Sequence, residues 1–170
     1  MTNRRNTLRT IGAVAGGGAL AIGGLSGLLG GGNAWAAAEQ PSYPVSHSDA
    51  EWKARLTPAQ YDVLRHAGTE RSGSSPLNKE ERAGKFACAG CKQPAYLSEA
   101  KFESGTGWPS FWKPIEGAVI ERDDSGFFFK RTEIVCSTCG GHLGHVFKDG
   151  PKPTGLRYCM NGVALEFQPA

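Results

Sequence analysis

The chain has 170 residues, of which 39% are hydrophobic, and it contains four tryptophans and eight phenylalanines. This composition is typical of a single globular domain with a substantial core, and it excludes an intrinsically disordered chain. Three of the 19 basic residues lie within the first ten positions; without them the remainder carries 16 basic and 16 acidic residues. The sequence has no run of basic residues of the kind that binds a phosphate backbone, so nucleic acid is not expected as a partner.

Residues 1–36 have the layout of a targeting segment. Arg4 and Arg5 lie in a polar stretch, a weakly hydrophobic region follows, and small residues at 34–36 precede a plausible cleavage point. The twin arginine, with Leu8 three positions later, resembles a signal for the Tat pathway. We therefore expect export, to the periplasm or the extracellular space.

The alternative to cleavage is an uncleaved membrane anchor, since residues 11–31 are long enough to span a bilayer. Nine of these 21 residues are glycine, and each glycine costs roughly 1 kcal/mol within a helix. Cleavage is favoured, which leaves the mature protein without a membrane segment. Pro41 and Pro44 make residues 37–47 a linker, and residues 48–170 are then the folded domain.

Two short helices are predicted at the start of this domain. Ser48 or Asp49 can cap the first, which runs to Leu56. Residues 57–60 form a capping box with proline at the first helical position, and this second helix is predicted to stop at Gly68.

From residue 69 onward the segments are short, aromatic and β-branched, with turn residues between them. Residues 118–122 and 127–135, joined by a turn at 123–126, predict a β-hairpin. Residues 162–167 predict a last strand. The fold class is therefore mainly β, with antiparallel sheets and short N-terminal helices.

Four of the five cysteines form two Cys-x-x-Cys pairs that are separated by 44 residues. Each pair is a knuckle that turns both sulfurs toward one point, with Gly90 in the first turn and Gly140 beside the second. Two knuckles supply the four thiolates of a closed, structural zinc site. A redox motif or a disulfide framework are the alternatives, but no βαβ pattern surrounds either pair. The four predicted ligands are Cys88, Cys91, Cys136 and Cys139.

A Tat leader suits such a site, because zinc can be loaded in the reducing cytoplasm before the folded protein is exported.

The fifth cysteine, Cys159, has no pairing partner in the sequence. Other chemically capable side chains stand near it or upstream: His142, His145, Trp108 and Arg157. A thiolate is the reactive form of cysteine, and histidine exchanges protons near neutral pH. Each residue also has a plain alternative. The cysteine could be a buried core residue, and either histidine could be an alternate zinc ligand. The tryptophan could belong to the core, and the arginine could be a surface charge.

Three segments, 105–111, 141–147 and 157–167, resemble the motifs of the B class of methionine sulfoxide reductases, as does 56–64. The resemblance covers Trp52 to Phe167 in the family's order. It implies reduction of methionine-R-sulfoxide, mainly in oxidised proteins, with a sulfenic acid formed on the nucleophile. A thioredoxin-like or other thiol reductant would recycle the enzyme, which is expected to be a monomer.

The resemblance also implies a role for each residue. Cys159 is the nucleophile, Asn161 holds the substrate or the intermediate, and His145 is the acid–base residue, with His142 in the same polar network. Trp108 packs against the substrate's methyl group. The other residues on the substrate side, which orient the site, are Phe147, Arg157 and Asp149.

Two positions depart from the family pattern. Thr106 stands where many relatives carry a resolving cysteine, so an external thiol is expected to reduce Cys159 directly. Gly162 stands where a serine is commoner. The alternative to an enzyme is a zinc-scaffolded binding module of the same fold without catalysis.

Overall fold

A computed structural model describes residues 42–126 and 130–170. The predicted signal peptide and residues 37–41 of the predicted linker lie outside these residues. Residues 42–47 form no helix or strand, and the Val45 N–H donates a 2.9 Å hydrogen bond to the carbonyl of Thr138. Within the described residues no helix has the length and apolar character needed to cross a bilayer.

The two predicted helices are present as α1, Asp49–Arg55, and α2, Pro58–His66. Both begin with a capping box, in which Ser48 and Thr57 each accept a hydrogen bond from the backbone three residues later. The second helix ends before Gly68, as predicted. The left-handed residue is the C-cap, Ala67, rather than Gly68, whose N–H donates a 3.2 Å hydrogen bond to the Asp62 carbonyl.

The described residues contain nine strands: β1 Gly84–Cys88, β2 Pro94–Leu97, β3 Lys101–Phe102, β4 Ser110–Phe111, β5 Val119–Asp123, β6 Thr132–Cys136, β7 His142–Phe147, β8 Arg157–Met160 and β9 Leu165–Pro169. They form two antiparallel sheets, which confirms the mainly β fold class. The three-stranded sheet has the order β2-β1-β9, and the six-stranded sheet has the order β3-β4-β8-β7-β6-β5. The same part of the chain has three short 3₁₀ helices: Pro76–Lys79 lies between α2 and β1, whereas Ser98–Ala100 and Gly162–Ala164 lie between strands.

The predicted hairpin is confirmed as β5 and β6, which pair in register from Val119 opposite Cys136 to Asp123 opposite Thr132. The last strand was predicted three residues too early. Residues 162–164 are a 3₁₀ helix because the carboxylate of Glu70 accepts hydrogen bonds from the N–H groups at its start. The strand β9 therefore begins only at Leu165.

The core contains an aromatic cluster contributed by strands of both sheets. The Tyr96 ring stacks on Phe111 with centroids 4.3 Å apart, and Phe86 meets Phe111 edge-on at 5.0 Å. All three side chains are fully buried. Burial of large rings in this arrangement fixes β4 and β8 of the larger sheet against the smaller one.

Candidate active site and metal site

The strands β7 and β8 place His145 directly opposite Cys159. Opposite residues of an antiparallel pair project their side chains on the same face of the sheet, with Cβ atoms about 4.5–5.5 Å apart. The close approach of these strands depends on Gly144. A Cβ atom added there would lie 2.2 Å from the Cys159 carbonyl oxygen. The sequence thus brings an imidazole and a thiol together through backbone pairing.

The Cys159 thiol is only partly buried. On its other side, β4 places Ser110 opposite it, and the Thr106 hydroxyl lies 3.8 Å from its sulfur. Thr106 is held by Ser104 through a 2.8 Å hydrogen bond between their hydroxyls. Polar hydroxyl groups thus border one side of the sulfur.

A cavity of about 150 Å³ opens over the thiol. Five residues predicted from the sequence line it together: Trp108, His145, Phe147, Cys159 and Asn161. Three further lining residues were not predicted: Thr69, Arg131 and Gly144. An apolar wall with a few convergent polar groups is the usual character of a small-molecule pocket.

His145 is held by a carboxylate that the sequence did not reveal. Its Nε2 lies 2.9 Å from Asp124 Oδ2, and the same carboxylate receives Arg131 Nε at 2.8 Å and Nη2 at 2.6 Å. Hydrogen bonds from His145, and then from Arg131, lower the pKa of Asp124 below its ordinary value. The carboxylate therefore stays ionised and fixes the orientation of the imidazole.

His142 does not line the cavity. It is buried, 3% exposed, and its ring centroid lies 5.2 Å from that of His145. Its Nδ1 lies 2.7 Å from Glu133 Oε1, while its Nε2 has no hydrogen-bond partner within the described ranges. Burial lowers the pKa of His142, and Glu133 opposes this. His142 thus belongs to the polar network behind His145.

Arg157 and Asp149 support Phe147 from outside the cavity. The guanidinium binds the Asp149 carboxylate at two points, 2.9 and 2.8 Å, and stacks 4.4 Å from the centroid of the Phe147 ring. These hydrogen bonds to Asp149 raise the pKa of Arg157, and the Cys159 sulfur acts in the same direction. Arg157 is the first residue of β8 and therefore places a permanent cation on the strand that carries Cys159.

Glu70 connects Trp108 to Asn161, and no sequence motif pointed to this residue. Its carbonyl accepts the Trp108 indole N–H at 3.2 Å, and its backbone N–H donates to Asn161 Oδ1 at 3.0 Å. Its carboxylate accepts the N–H groups of Gly162 at 2.5 Å and Val163 at 3.0 Å. Asn161, only 4% exposed, also donates to a β7 carbonyl at 3.3 Å.

Asp124, Arg131, Glu133 and Glu70 escaped prediction for a common reason. They lie in turns, a strand and a loop whose sequences do not have the residue spacing of a metal-ligand or nucleophile motif. Only the fold brings them to the site. The single usable signal was Glu133, a partly buried acidic residue directly before the apolar residues 134–136 of β6.

The four paired cysteines meet in one cluster, as predicted. Their sulfurs all lie within 4.8 Å of one another, with Cys88 to Cys139 at 3.7 Å and Cys91 to Cys136 at 3.5 Å. A tetrahedral ion with metal–sulfur bonds of about 2.3 Å separates its ligands by about 3.8 Å. The residues therefore fit a metal ion, and none of them lines the cavity over Cys159.

The two knuckles have the same backbone geometry. In each, the first cysteine donates to the carbonyl five residues later and accepts from the N–H four residues later, at 2.8–2.9 Å. The residue four positions after the first cysteine has a left-handed backbone in both knuckles: Lys92 has φ 65° and Gly140 has φ 67°. Gly90 was expected to serve the first turn, but Lys92 takes that conformation instead. Its ammonium group binds the Ala89 carbonyl and the Glu166 carboxylate.

Comparisons with known proteins agree with these observations. The SelR domain family matches residues 56–169. A protein of Leptospira interrogans serogroup Icterohaemorrhagiae serovar Lai (strain 56601) is 51% identical over 128 residues, which are 75% of this chain and 98% of that protein. One from Pseudomonas entomophila (strain L48) is 54% identical over 120 residues, 70% and 92% of the two chains. One from Agrobacterium fabrum (strain C58 / ATCC 33970) is 52% identical over 126 residues, 74% and 93%. All three are named peptide methionine sulfoxide reductase MsrB.

Proposed function

The chain belongs to the SelR-domain family, the B class of methionine-R-sulfoxide reductases, and on that premise we propose that Cys159 is its catalytic nucleophile. The observation that carries this proposal is the pairing of Cys159 with His145 under a cavity that Trp108 also lines. A thiolate, a proton carrier and an aromatic wall are what the reduction of a methyl sulfoxide needs.

The sulfoxide's methyl group packs against Trp108 and Phe147, which lie on the walls of the cavity. Both rings are fixed, the first by its hydrogen bond to the Glu70 carbonyl and the second by the stacked Arg157. Because a sulfoxide sulfur is chiral, a fixed methyl site leaves the sulfur facing Cys159 in only one epimer. That epimer is the R form in this family, and the two epimers are handled by separate enzymes.

The Cys159 thiolate attacks the sulfoxide sulfur and forms an S–S bond to it, while His145 donates a proton to the sulfoxide oxygen. The hydroxyl group of this adduct then moves to the Cys159 sulfur: the S–S bond and the substrate's S–O bond break, a new S–O bond makes Cys159 a sulfenic acid, and the thioether methionine leaves. Atoms balance, since one thiol and one sulfoxide give one sulfenic acid and one thioether. Asp124 keeps the imidazole oriented through this transfer.

Two equivalents of an external thiol, from a thioredoxin-like protein or a small reductant, then restore the thiol and release a disulfide and water. Four cysteines lie in the metal cluster, and Thr106 borders Cys159 in place of a resolving cysteine. The proposed cycle therefore forms no disulfide within the chain. Thiol titration of native protein after one turnover tests this, and an internal disulfide that includes Cys159 contradicts it.

Zinc is the metal we propose for the four cysteines. A tetrahedral set of four thiolates is typical of structural zinc, and it leaves no coordination position for a substrate. When bound, the ion supplies a cross-link between the sheets. Cys88 ends β1 of the smaller sheet and Cys91 follows it, whereas Cys136 ends β6 of the larger sheet and Cys139 follows it. Elemental analysis of purified protein tests the assignment.

We also propose that the protein acts after export by the Tat pathway, on the grounds of the leader at residues 1–36. Replacing Arg4 and Arg5 with lysine should retain the protein in the cytoplasm, as measured by fractionation and by the mass of the chain. Export that is unchanged in this variant contradicts the proposal.

The test of the function itself uses a short peptide with a methionine-R-sulfoxide, the matching S-sulfoxide, and dithiothreitol as reductant. The R form alone should be reduced. Cys159→Ser should lose all turnover while it keeps its metal and its circular dichroism spectrum. If the wild-type protein reduces neither epimer, the non-catalytic binding module is the better description.

A further inference from the structure

A second, larger cavity adjoins the catalytic one. It has a volume of about 560 Å³, within the range of roughly 300–1,000 Å³ that ligand sites occupy. It lies between α2, the loop that follows this helix, and the segment 162–167. Thr69 lines both cavities, and the next residue, Glu70, lines the large one while it holds Trp108 and Asn161 of the small one. The two cavities are therefore neighbouring parts of one surface that leads to Cys159.

The large cavity, which we call the flanking groove, has an apolar floor. Side chains of Leu77, Val163 and Phe167 contribute to it, and all three are only partly buried. Hydrophobic groups left partly open beside a catalytic pocket mark a place where another apolar group is received.

The charge of the flanking groove is of one sign. Its lining includes Asp62, Glu70 and Glu166, and none of its lining residues is lysine, arginine or histidine. The carboxylate of Glu70 is occupied by two backbone N–H groups, and that of Glu166 by Lys92. Asp62 is the most exposed of these acids, since its side chain is 65% exposed; His66 Nδ1 lies 3.9 Å from its carboxylate.

We propose that the flanking groove binds the polypeptide segment adjacent to the methionine sulfoxide, and that it prefers segments with apolar and basic side chains. This inference rests on the proposed function, because only a peptide-bound sulfoxide carries such a segment. Continuity with the catalytic cavity at Thr69 selects the substrate chain as the occupant. The acidic rim favours lysine or arginine in that chain, since opposite charges across an interface stabilise the bound state.

The experiment compares three R-sulfoxide substrates: a peptide with lysines beside the sulfoxide, the same peptide with glutamates, and N-acetylmethionine sulfoxide, which lacks flanking residues. The measured quantity is kcat/KM for each peptide divided by kcat/KM for the small substrate. In the wild-type protein, the ratio should be higher for the lysine peptide by about two- to fivefold, the range typical of an exposed ion pair.

Two variants test the groove directly. Asp62→Lys should reverse the preference between the two peptides, and Glu116→Lys, at an exposed acid of the β4–β5 loop, should not. Ala59→Trp places a large ring at the lip of the groove and should lower both peptide ratios by about tenfold, the loss expected from removing a few apolar contacts. The matched control is Ala54→Trp, at an exposed alanine of α1 outside the groove.

Three results overturn the proposal: ratios that do not move in either variant, equal losses for peptides and for the small substrate, or a change confined to the KM of the thiol reductant. Metal content and circular dichroism establish that each variant is folded. A wild-type protein that reduces none of the three substrates contradicts the proposed function itself, which is a different result from an unmoved ratio.

Discussion

Glu70 is predicted to stabilise the protein and its catalytic site at once. Its carboxylate accepts two hydrogen bonds, from Gly162 N–H at 2.5 Å and Val163 N–H at 3.0 Å. These are the first N–H groups of a 3₁₀ helix whose N-cap, Asn161, makes no capping hydrogen bond with its side chain. A hydrogen bond to a charged group contributes about 1.5–3 kcal/mol, less where water can replace the acceptor.

Glu70→Ala should therefore lower the free energy of unfolding by about 2–4 kcal/mol, because both N–H groups lose their acceptor. Glu70→Gln keeps one acceptor oxygen and should cost about 1–2 kcal/mol. Urea denaturation of the metal-loaded protein measures both values. Glu116→Gln, at an exposed loop position, is the matched control and should change stability by less than about 0.5 kcal/mol.

Glu70→Ala should also reduce catalysis, since Gly162 directly follows Asn161 and lies three residues after Cys159. Loss of the two hydrogen bonds to the Glu70 carboxylate allows the segment that contains Asn161 and Gly162 to shift. Misplacement of a catalytic group by about 1 Å can cost about a hundredfold in rate. We expect kcat to fall more than KM rises in Glu70→Ala. Wild-type stability together with wild-type kcat in Glu70→Ala would show that Glu70 does not hold the segment after Cys159 in place.

Three further predictions concern packing, protonation and the metal. A Cβ at Gly162 would lie 1.9 Å from Ser75 Oγ, so Gly162→Ser should cost about 1–3 kcal/mol in urea denaturation, and adding Ser75→Gly should restore most of it. Burial lowers the pKa of His142 and Glu133 opposes this, so NMR titration should give a value below 6.5 that falls further in Glu133→Gln. Because the folded-state pKa is depressed, this histidine's contribution to stability is present above about pH 6.5 and is lost at lower pH. Removing the metal with a chelator should unfold the two-sheet domain, as seen by circular dichroism, since structural zinc contributes on the order of 10 kcal/mol; an unchanged spectrum and melting temperature would contradict the cross-link.

Local patterns in the sequence were sufficient where the structure is determined locally. Ser48 caps the first helix and a capping box at Thr57 starts the second, as predicted, and each Cys-x-x-Cys spacing forms its own knuckle. Each of these features depends on residues within a few positions of one another. The exact backbone was less accessible: the left-handed residue of the first knuckle is Lys92, four positions after Cys88, rather than Gly90.

Contacts between distant segments could not be predicted in the same way. Residues 162–164 alternate like a strand, yet the carboxylate of Glu70, more than ninety positions earlier, holds them as a 3₁₀ helix. Asp124 reaches His145 only because β5, β6 and β7 are neighbours in one sheet. The family resemblance pointed to Cys159 as the nucleophile and His145 as the acid–base residue. The groups that orient these two residues could be identified only from the fold.

The most direct test of the account is a single turnover of an R-sulfoxide peptide without any reductant. We predict one methionine formed per protein molecule, and a sulfenic acid on Cys159 that dimedone traps as a thioether adduct, found by mass spectrometry on the peptide that contains Cys159. Methionine formed without that adduct on Cys159, or formed equally by Cys159→Ser, would show that Cys159 is not the nucleophile.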